Sequence, residues 1–249
     1  MKALSNFPAG HIVLNSPFKT LFGTLILLVF LTSWNNIAKA QSRLYLSNDN
    51  HTDYMWSAGE TTYDAALVTM IDAWMANNNA TNANAPDYQT KFNCDGTYWA
   101  WAYEKHKTAA QFQSFMDQVK SERIVIPMNP LIITYGCVPA EATIRGMYYA
   151  GELKKKYGIP FDMAMSMENQ VLPLGLSSLW KGCGAKYAWH GVCNCSTQVP
   201  DLESPREKEI YWYKGLDDSG VIMKWYSRTP DHILGNYGEA RDPGNTISD

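Results

Sequence analysis

Three stretches of the chain carry side chains able to do chemistry. The first is Asn50-His51-Thr52-Asp53-Tyr54-Met55-Trp56. His51 and Asp53 stand two apart, so on an extended strand end both point the same way. An imidazole and a carboxylate converging there make half of a site for a divalent metal of borderline softness, with zinc the natural occupant. Trp56 follows three residues after the Asp, where a flat ring can floor such a site and receive the apolar C–H face of a sugar. On spacing alone, a polar loop in which the His bonds the Asp is the plainer alternative. The second stretch is Met167-Glu168-Asn169-Gln170, where a carboxylate follows an apolar run. In that position it can be a nucleophile, a base or a ligand, or an ordinary surface acid. The third is Asp95, between Lys91-Phe92-Asn93 and Trp99, where a turn or cap role competes with a functional one.

Such residues need a scaffold, and the hydrophobic pattern describes one. Arg43–Ser47 alternates like a short strand leading to His51. Tyr63, Leu67, Met70, Ile71 and Trp74 share one face of a helix over Thr61–Ala76. Asn77–Pro86 is a low-complexity Asn/Ala loop with no evident chemistry. Thr108-x-x-Gln111 is a capping box before a helix lined by Phe112, Phe115, Met116 and Val119. Ile124–Ile126 reads as a buried strand. Pro139 starts a helix with Ile144, Met147, Tyr148 and Leu153 in period, and Gly158 stops it. Met163–Met167 is a strand, Leu174–Lys181 a short helix and Lys186–Trp189 another strand. Arg206–Tyr213 and Val221–Trp225 are further candidate elements. Strands alternating with helices predict an α/β fold, βα units around a parallel sheet, open or barrel-like. Ligands in such folds bind at the carboxyl ends of strands.

Composition narrows the function classes. The chain has 249 residues, 46% hydrophobic and 18% charged, which excludes a disordered tail, a collagen and a disulfide mini-protein. A net charge of −3 lacks the basic footprint of a nucleic-acid binder. Leu21–Trp34 is apolar and uncharged, with Lys2 and Lys19 ahead of it and Ala38-Lys39-Ala40 behind. It is short for a bilayer span of about 20 residues and reads as a secretory signal peptide over 1–40, with an uncleaved anchor as the alternative. Cleavage removes three lysines and no acid, so the exported product is more acidic and keeps no membrane span. The five cysteines are an odd number, and their pairing does not follow from sequence. Cys193-Asn194-Cys195 is too tight for a zinc ribbon, which favours structural thiols or one disulfide. Asn50-His51-Thr52 is a glycosylation sequon overlapping the candidate ligands, which fits a bacterial periplasm or exterior better than a glycosylating host.

These residues resemble the N-terminal catalytic domain of glycoside hydrolase family 38, the α-mannosidases. That family's first strand ends in a His-x-Asp pair with a Trp three residues after the Asp, the spacing of His51, Asp53 and Trp56. Lys91-Phe92 with Trp99–Glu104 resembles its second strand and following helix, and Met128-Asn129-Pro130 its substrate-side loop. Glu141–Gly158 is similar to the helix before the nucleophile strand, and Leu174–Tyr187 to the helix and strand after it. The likeness covers Leu44–Val192.

The resemblance implies an incomplete (β/α) barrel of the seven-stranded glycoside hydrolase/deacetylase type over 41–249. It implies a Zn2+ ion held by His51, Asp53 and Glu168 with a distant second His. Glu168 would be the nucleophile of a retaining hydrolase of mannose-containing glycans, with Trp56, Asp95 and Gln170 against the substrate. Three departures stand out. Glu168 replaces the family's Asp, and Gln170 its aromatic. The general acid and second His belong to a region beyond this likeness, which makes the chain the front part of a longer enzyme completed by a C-terminal portion. A non-catalytic carbohydrate-binding or inactive relative is the alternative. A zinc deacetylase needs a His-x-x-x-His pair, and the five histidines contain none.

Overall fold

The computed structural model describes residues 52–167, 172–191 and 210–226. The expected strand Arg43–Ser47, the signal segment, His51 and the Glu168–Gln170 stretch lie outside them. Helix α1 (Glu60–Ala80) forms where expected, with Leu67 and Ile71 buried one turn apart and Glu60 complementing the positive helix start. It runs past Ala76 into the Asn-rich stretch. The reason is Arg123, whose buried guanidinium reaches under the helix end. It donates to the carbonyl of Asn78 at 2.7 Å, to Thr81 Oγ1 at 3.0 Å and to Asn82 Oδ1 at 2.6 Å. It also donates to Gln89 Oε1 at 3.2 Å and the carbonyl of Thr90 at 2.9 Å. The stretch that reads as featureless is the lining of a buried cation.

Strand β1 (Phe92–Asn93) leads to helix α2 (Tyr98–His106), then helix α3 (Ala109–Lys120) and strand β2 (Ile124–Val125). The expected capping box is present: Thr108 Oγ1 accepts from the Gln111 amide, and the Gln111 side chain accepts from the Thr108 amide at 3.0 Å. Phe112, Phe115, Met116 and Val119 are all buried. The helix expected after Pro139 is two helices, α4 (Ala140–Gly146) and α5 (Tyr148–Tyr157), broken at Met147. The break turns the register, so Tyr148 faces solvent. Tyr149 packs inward instead, its hydroxyl donating to Glu104 Oε2 at 2.6 Å. Gly158 ends α5 at φ 69°, where a side chain would be strained.

Strand β3 (Met163–Met167), helix α6 (Leu176–Cys183) and strand β4 (Tyr187–Gly191) follow, then a hairpin of β5 (Ile210–Lys214) and β6 (Gly220–Tyr226). β1 and β2 pair in parallel, Phe92 opposite Ile124. β3, β4 and β6 form a parallel set, and β5 is an antiparallel edge strand beside β6. The amide of Met128 donates to the carbonyl of Met163 at 2.9 Å and carries the ladder from the β2 side to β3. The architecture is thus α/β with a mainly parallel sheet and helices. Among the described residues the strands form one two-stranded and one four-stranded sheet, without a closed barrel.

One sheet face carries Ala164, Ala188, Val221 and Met223 under α6, whose Trp180 packs edge-on against Tyr213 and Tyr135. The opposite face leaves Tyr187, Trp212 and Ile222 partly open. No helix among the described residues is long and apolar enough to cross a membrane. Cys94, Cys137 and Cys183 are free thiols.

Candidate active site at the carboxyl end of the sheet

The parallel strands bring three segments to one end of the sheet: the turn after Thr52, the loop after β1 and the loop after β2. Asp95 lies two residues past β1 and is fully buried. Its Oδ2 accepts the backbone amide of Thr52 at 2.5 Å. Burial without water makes this charge-assisted bond strong. The residue pinned in this way is the one between His51 and Asp53. Asp95 therefore supports the turn that carries Asp53.

Asn129, four residues past β2, is also fully buried. Its Nδ2 donates to the carbonyls of Asp95 at 3.1 Å and Leu131 at 2.9 Å, and its Oδ1 accepts the amide of Met165 at 2.8 Å. Thr97 and Tyr98 donate their amides to the carbonyls of Asn129 and Pro130, both at 2.8 Å. This close approach demands Gly96, since a Cβ there would meet the Pro130 carbonyl oxygen at 2.3 Å.

The turn that carries Asp53 and Trp56 is latched from the side. The Trp56 amide donates to the Asp53 carbonyl at 3.1 Å, with Met55 held at φ 63°. That left-handed conformation costs a Met about 1 kcal/mol. Tyr63 Oη accepts the amides of Trp56 at 3.1 Å and Ser57 at 3.3 Å. Tyr98 Oη donates to Asp64 Oδ1 at 2.7 Å, so Tyr54 must be the donor in its 2.6 Å bond to Tyr98. Asp64 is buried, yet His106 Nε2 and Lys105 Nζ each donate to its Oδ2 at 3.1 Å. Burial pushes its carboxyl up, but the three donors outweigh this and hold it below the usual carboxylate range. Burial first, and then the Asp64 and Tyr54 contacts, drive the Tyr98 hydroxyl far above its ordinary value.

Among the expected site residues, Asp53 is exposed at the sheet end, Trp56 is 85% exposed and Asp95 is buried below them. His51, Glu168 and Gln170 lie outside the described residues, though β3 ends at Met167, immediately before Glu168. Trp99 and Tyr135 are core residues, so neither ring is open to a ligand. Cys94 is buried beside Asp95; burial and then that carboxylate keep its thiol protonated, which makes it a poor metal ligand. Sequence reasoning missed Asp64 and gave Asn129 no role of its own. Asp64 carried a signal: a lone acid one turn before Leu67 on the apolar stripe of α1. Asn129 carried none, because its role arises from three strand ends meeting.

The fold, α/β with a mainly parallel sheet, is shared with solved structures. Its backbone is similar to an alpha-mannosidase from Enterococcus faecalis V583, with a TM-score of 0.56 at 13% identity over 72% of this chain. It is also similar to a protein in the glycosyl hydrolase family 38 from Enterococcus faecalis, with a TM-score of 0.50 at 14% identity over 72%. The chain covers 19% and 18% of those two proteins. No protein-family model and no curated protein matches the sequence.

Proposed function

We propose that this chain is the front part of a zinc-dependent retaining glycoside hydrolase of α-mannosidase type, acting on mannose-containing glycans. The observation that carries the reading is the placement of Asp53 and Trp56, on a turn pinned by Asp95, at the carboxyl end of the sheet. The likeness of fold to glycoside hydrolases supports it. In this reading the sheet is the first part of a seven-stranded barrel, and its partly open Tyr187–Trp212–Ile222 face is the barrel's inner side. Residues 1–40 direct export to a bacterial periplasm or exterior and are removed. The chain is then completed by a C-terminal portion of the same enzyme, which brings the general acid and a further His.

The donor set suits zinc: one imidazole and two carboxylates, from His51, Asp53 and Glu168. Among the described residues no three potential ligands cluster, and Asp53 is the one member of the set described. The Asp95 bond to the Thr52 amide steadies the turn that carries Asp53, the kind of support a ligand needs. When bound, zinc supplies Lewis acidity toward sugar hydroxyls. The chain's own groups supply the sugar platform and the nucleophile. Trp56 presents an open ring for the sugar's apolar face. The Glu168 carboxylate attacks the anomeric carbon as the bond to the leaving oxygen breaks, with the acid protonating that oxygen. Water then cleaves the glycosyl ester, and configuration is retained. Gln170 contacts the substrate, whereas Asp95, fully buried, acts only by supporting the turn that carries Asp53.

Elemental analysis of the purified chain tests the metal, with His51→Ala and Asp53→Ala alongside. About one zinc per chain, lost in both variants, is expected, and an aryl α-mannoside assay on the completed enzyme follows. A metal-free wild type with no affinity for added zinc removes the reading. The exposed Trp56 ring and Glu168 in place of Asp favour a second reading, a carbohydrate-binding module, which predicts mannoside binding without turnover.

A further inference from the structure

We infer that the outer edge of β5 is a pairing surface for a second copy of this chain, joined strand to strand about Trp212. The inference goes beyond the proposed activity and uses none of its residues. β5 ends the strand order β3-β4-β6-β5, and among the described residues no strand lies beyond it. The hydrogen-bond phase decides which backbone groups it turns outward. The Gly215 amide donates to the Ser219 carbonyl at 2.7 Å, so these two opposed residues form a closely spaced pair. Alternation along an antiparallel ladder then gives the inner bonds to Tyr213 with Val221 and to Tyr211 with Met223. The Ile222 amide agrees, since it donates away from β5, to the Lys186 carbonyl at 3.0 Å. Ile210, Trp212 and Lys214 therefore turn their N–H and C=O groups toward the open edge.

Edge strands of soluble proteins are normally blunted by a Pro, a bulge or a central charge. Ile210-Tyr211-Trp212-Tyr213 has no Pro and no charge, and its register with β6 runs without a bulge. Lys214, at the strand's end, is held by Asp218 at 2.5 Å. Ile210 and Trp212 are 62% and 56% exposed, and Trp212 continues a row through Ile222 to Tyr187. The occupant follows from the strand itself. Tyr211-Trp212-Tyr213 reads the same in both directions. A copy turned about a two-fold axis through Trp212 sets Trp212 against its counterpart, Tyr211 against Tyr213 and Ile210 against Lys214. All three outward-facing residues then meet outward-facing residues, and these pairs exchange about six backbone bonds. An axis at Tyr211 or Tyr213 matches only two of the three. The paired Trp212 rings lie side by side on the open face, a favourable cross-strand contact. One short strand buries less than the about 800 Å² per partner of a standard interface, so the dimer is weak and follows concentration.

Sedimentation velocity of the purified chain, from micromolar to near-millimolar concentration, tests the pairing, with amide hydrogen exchange at both ends of the range. A reversible monomer–dimer equilibrium is expected. Exchange at Ile210, Trp212 and Lys214 slows as the dimer forms, while Tyr211 and Tyr213, already bonded to β6, change little. Trp212→Pro removes an N–H that β6 does not use, so an edge strand tolerates it. Two bonds of the dimer go, and association weakens by about ten-fold or more. Trp212→Lys sets like charges across the axis and decides the matter if the Pro variant does not fold; the same loss is expected. Tyr187→Lys, on the same open face but on β4, leaves association intact. A chain that stays monomeric throughout overturns the inference. So does a dimer in which the three amides exchange as they do in the monomer. Association lost in Tyr187→Lys but kept in folded Trp212→Lys overturns it too, because the apolar face and not the edge would then be the contact. None of these readouts involves zinc or sugar, so their failure is separate from failure of the proposed activity.

Discussion

Asp95 and Thr52 are 43 residues apart in the chain and joined by a 2.5 Å bond from backbone amide to carboxylate. The carboxylate is buried, so losing it leaves the Thr52 N–H unsatisfied and frees the turn that carries Asp53 and Trp56. Asp95→Ala should cost about 2 kcal/mol in urea unfolding. It should also raise the exchange rate of the Thr52 amide far more than that of α3, whose contacts it does not touch.

Arg123 places its guanidinium among five uncharged oxygens. Arg123→Met removes a buried fork that a thioether cannot imitate, and leaves several of those oxygens facing an apolar chain. The expected loss is about 3 kcal/mol. Arg123→Lys should recover less than half, because one ammonium cannot span both the end of α1 and the Thr90 carbonyl. Denaturant midpoints of the three proteins settle the order.

Gly96 admits no side chain. A Cβ would sit 2.3 Å from the Pro130 carbonyl oxygen, which is backbone and cannot swing aside. Gly96→Ala should destabilise by about 3 kcal/mol or more, an unusually large effect for one added methyl. Gly151→Ala is the control, since nothing lies within 4 Å of that position. It should be neutral or slightly stabilising, as expected in the middle of a helix.

Asp64 sets an acid limit on the Tyr54–Tyr98 latch. Its carboxyl is held below the usual value in the folded chain, despite burial, by Tyr98, His106 and Lys105. The stability it contributes is present above the unfolded value near 3.8 and is lost as pH falls through the lower folded value. Asp64→Asn should therefore be destabilising by about 1–2 kcal/mol at pH 7. The gap to wild type should close progressively below about pH 4. Urea midpoints measured between pH 7 and pH 2.5 test both the sign and the window.

Much of the scaffold is legible in the sequence, because its period is local. The Thr108–Gln111 box, the Phe112–Val119 stripe, the Gly158 stop and the Met163–Met167 strand each depend on a few neighbours, and each appears where expected. The two-helix form of 140–157 was not legible. Its break at Met147 brings Gly146 against the Pro130 ring, at 3.1 Å from an added Cβ, a contact between distant segments. The extension of α1 into the Asn-rich stretch has the same origin, in Arg123. The antiparallel placement of β5 follows from a tight hairpin, and strand propensity does not report direction. At the site, residue types pointed to Asp53, Trp56 and Asp95. The bonds that support them, from Tyr63, Asp64 and Asn129, join residues 7 to 44 positions apart or span three strand ends.

The neutral shell around Arg123 also bears on where such a fold can work. Screening by dissolved ions weakens exposed pairs such as Arg145 with Glu141, whose side chains are 68% and 63% open to solvent. It barely reaches a buried cation bonded to carbonyl, amide and hydroxyl oxygens. The corner that fastens α1 to β2, and through β2 the floor beneath Asp53, is thereby insulated from brine. Solutes that compete for hydrogen bonds, not salts, are what should loosen it.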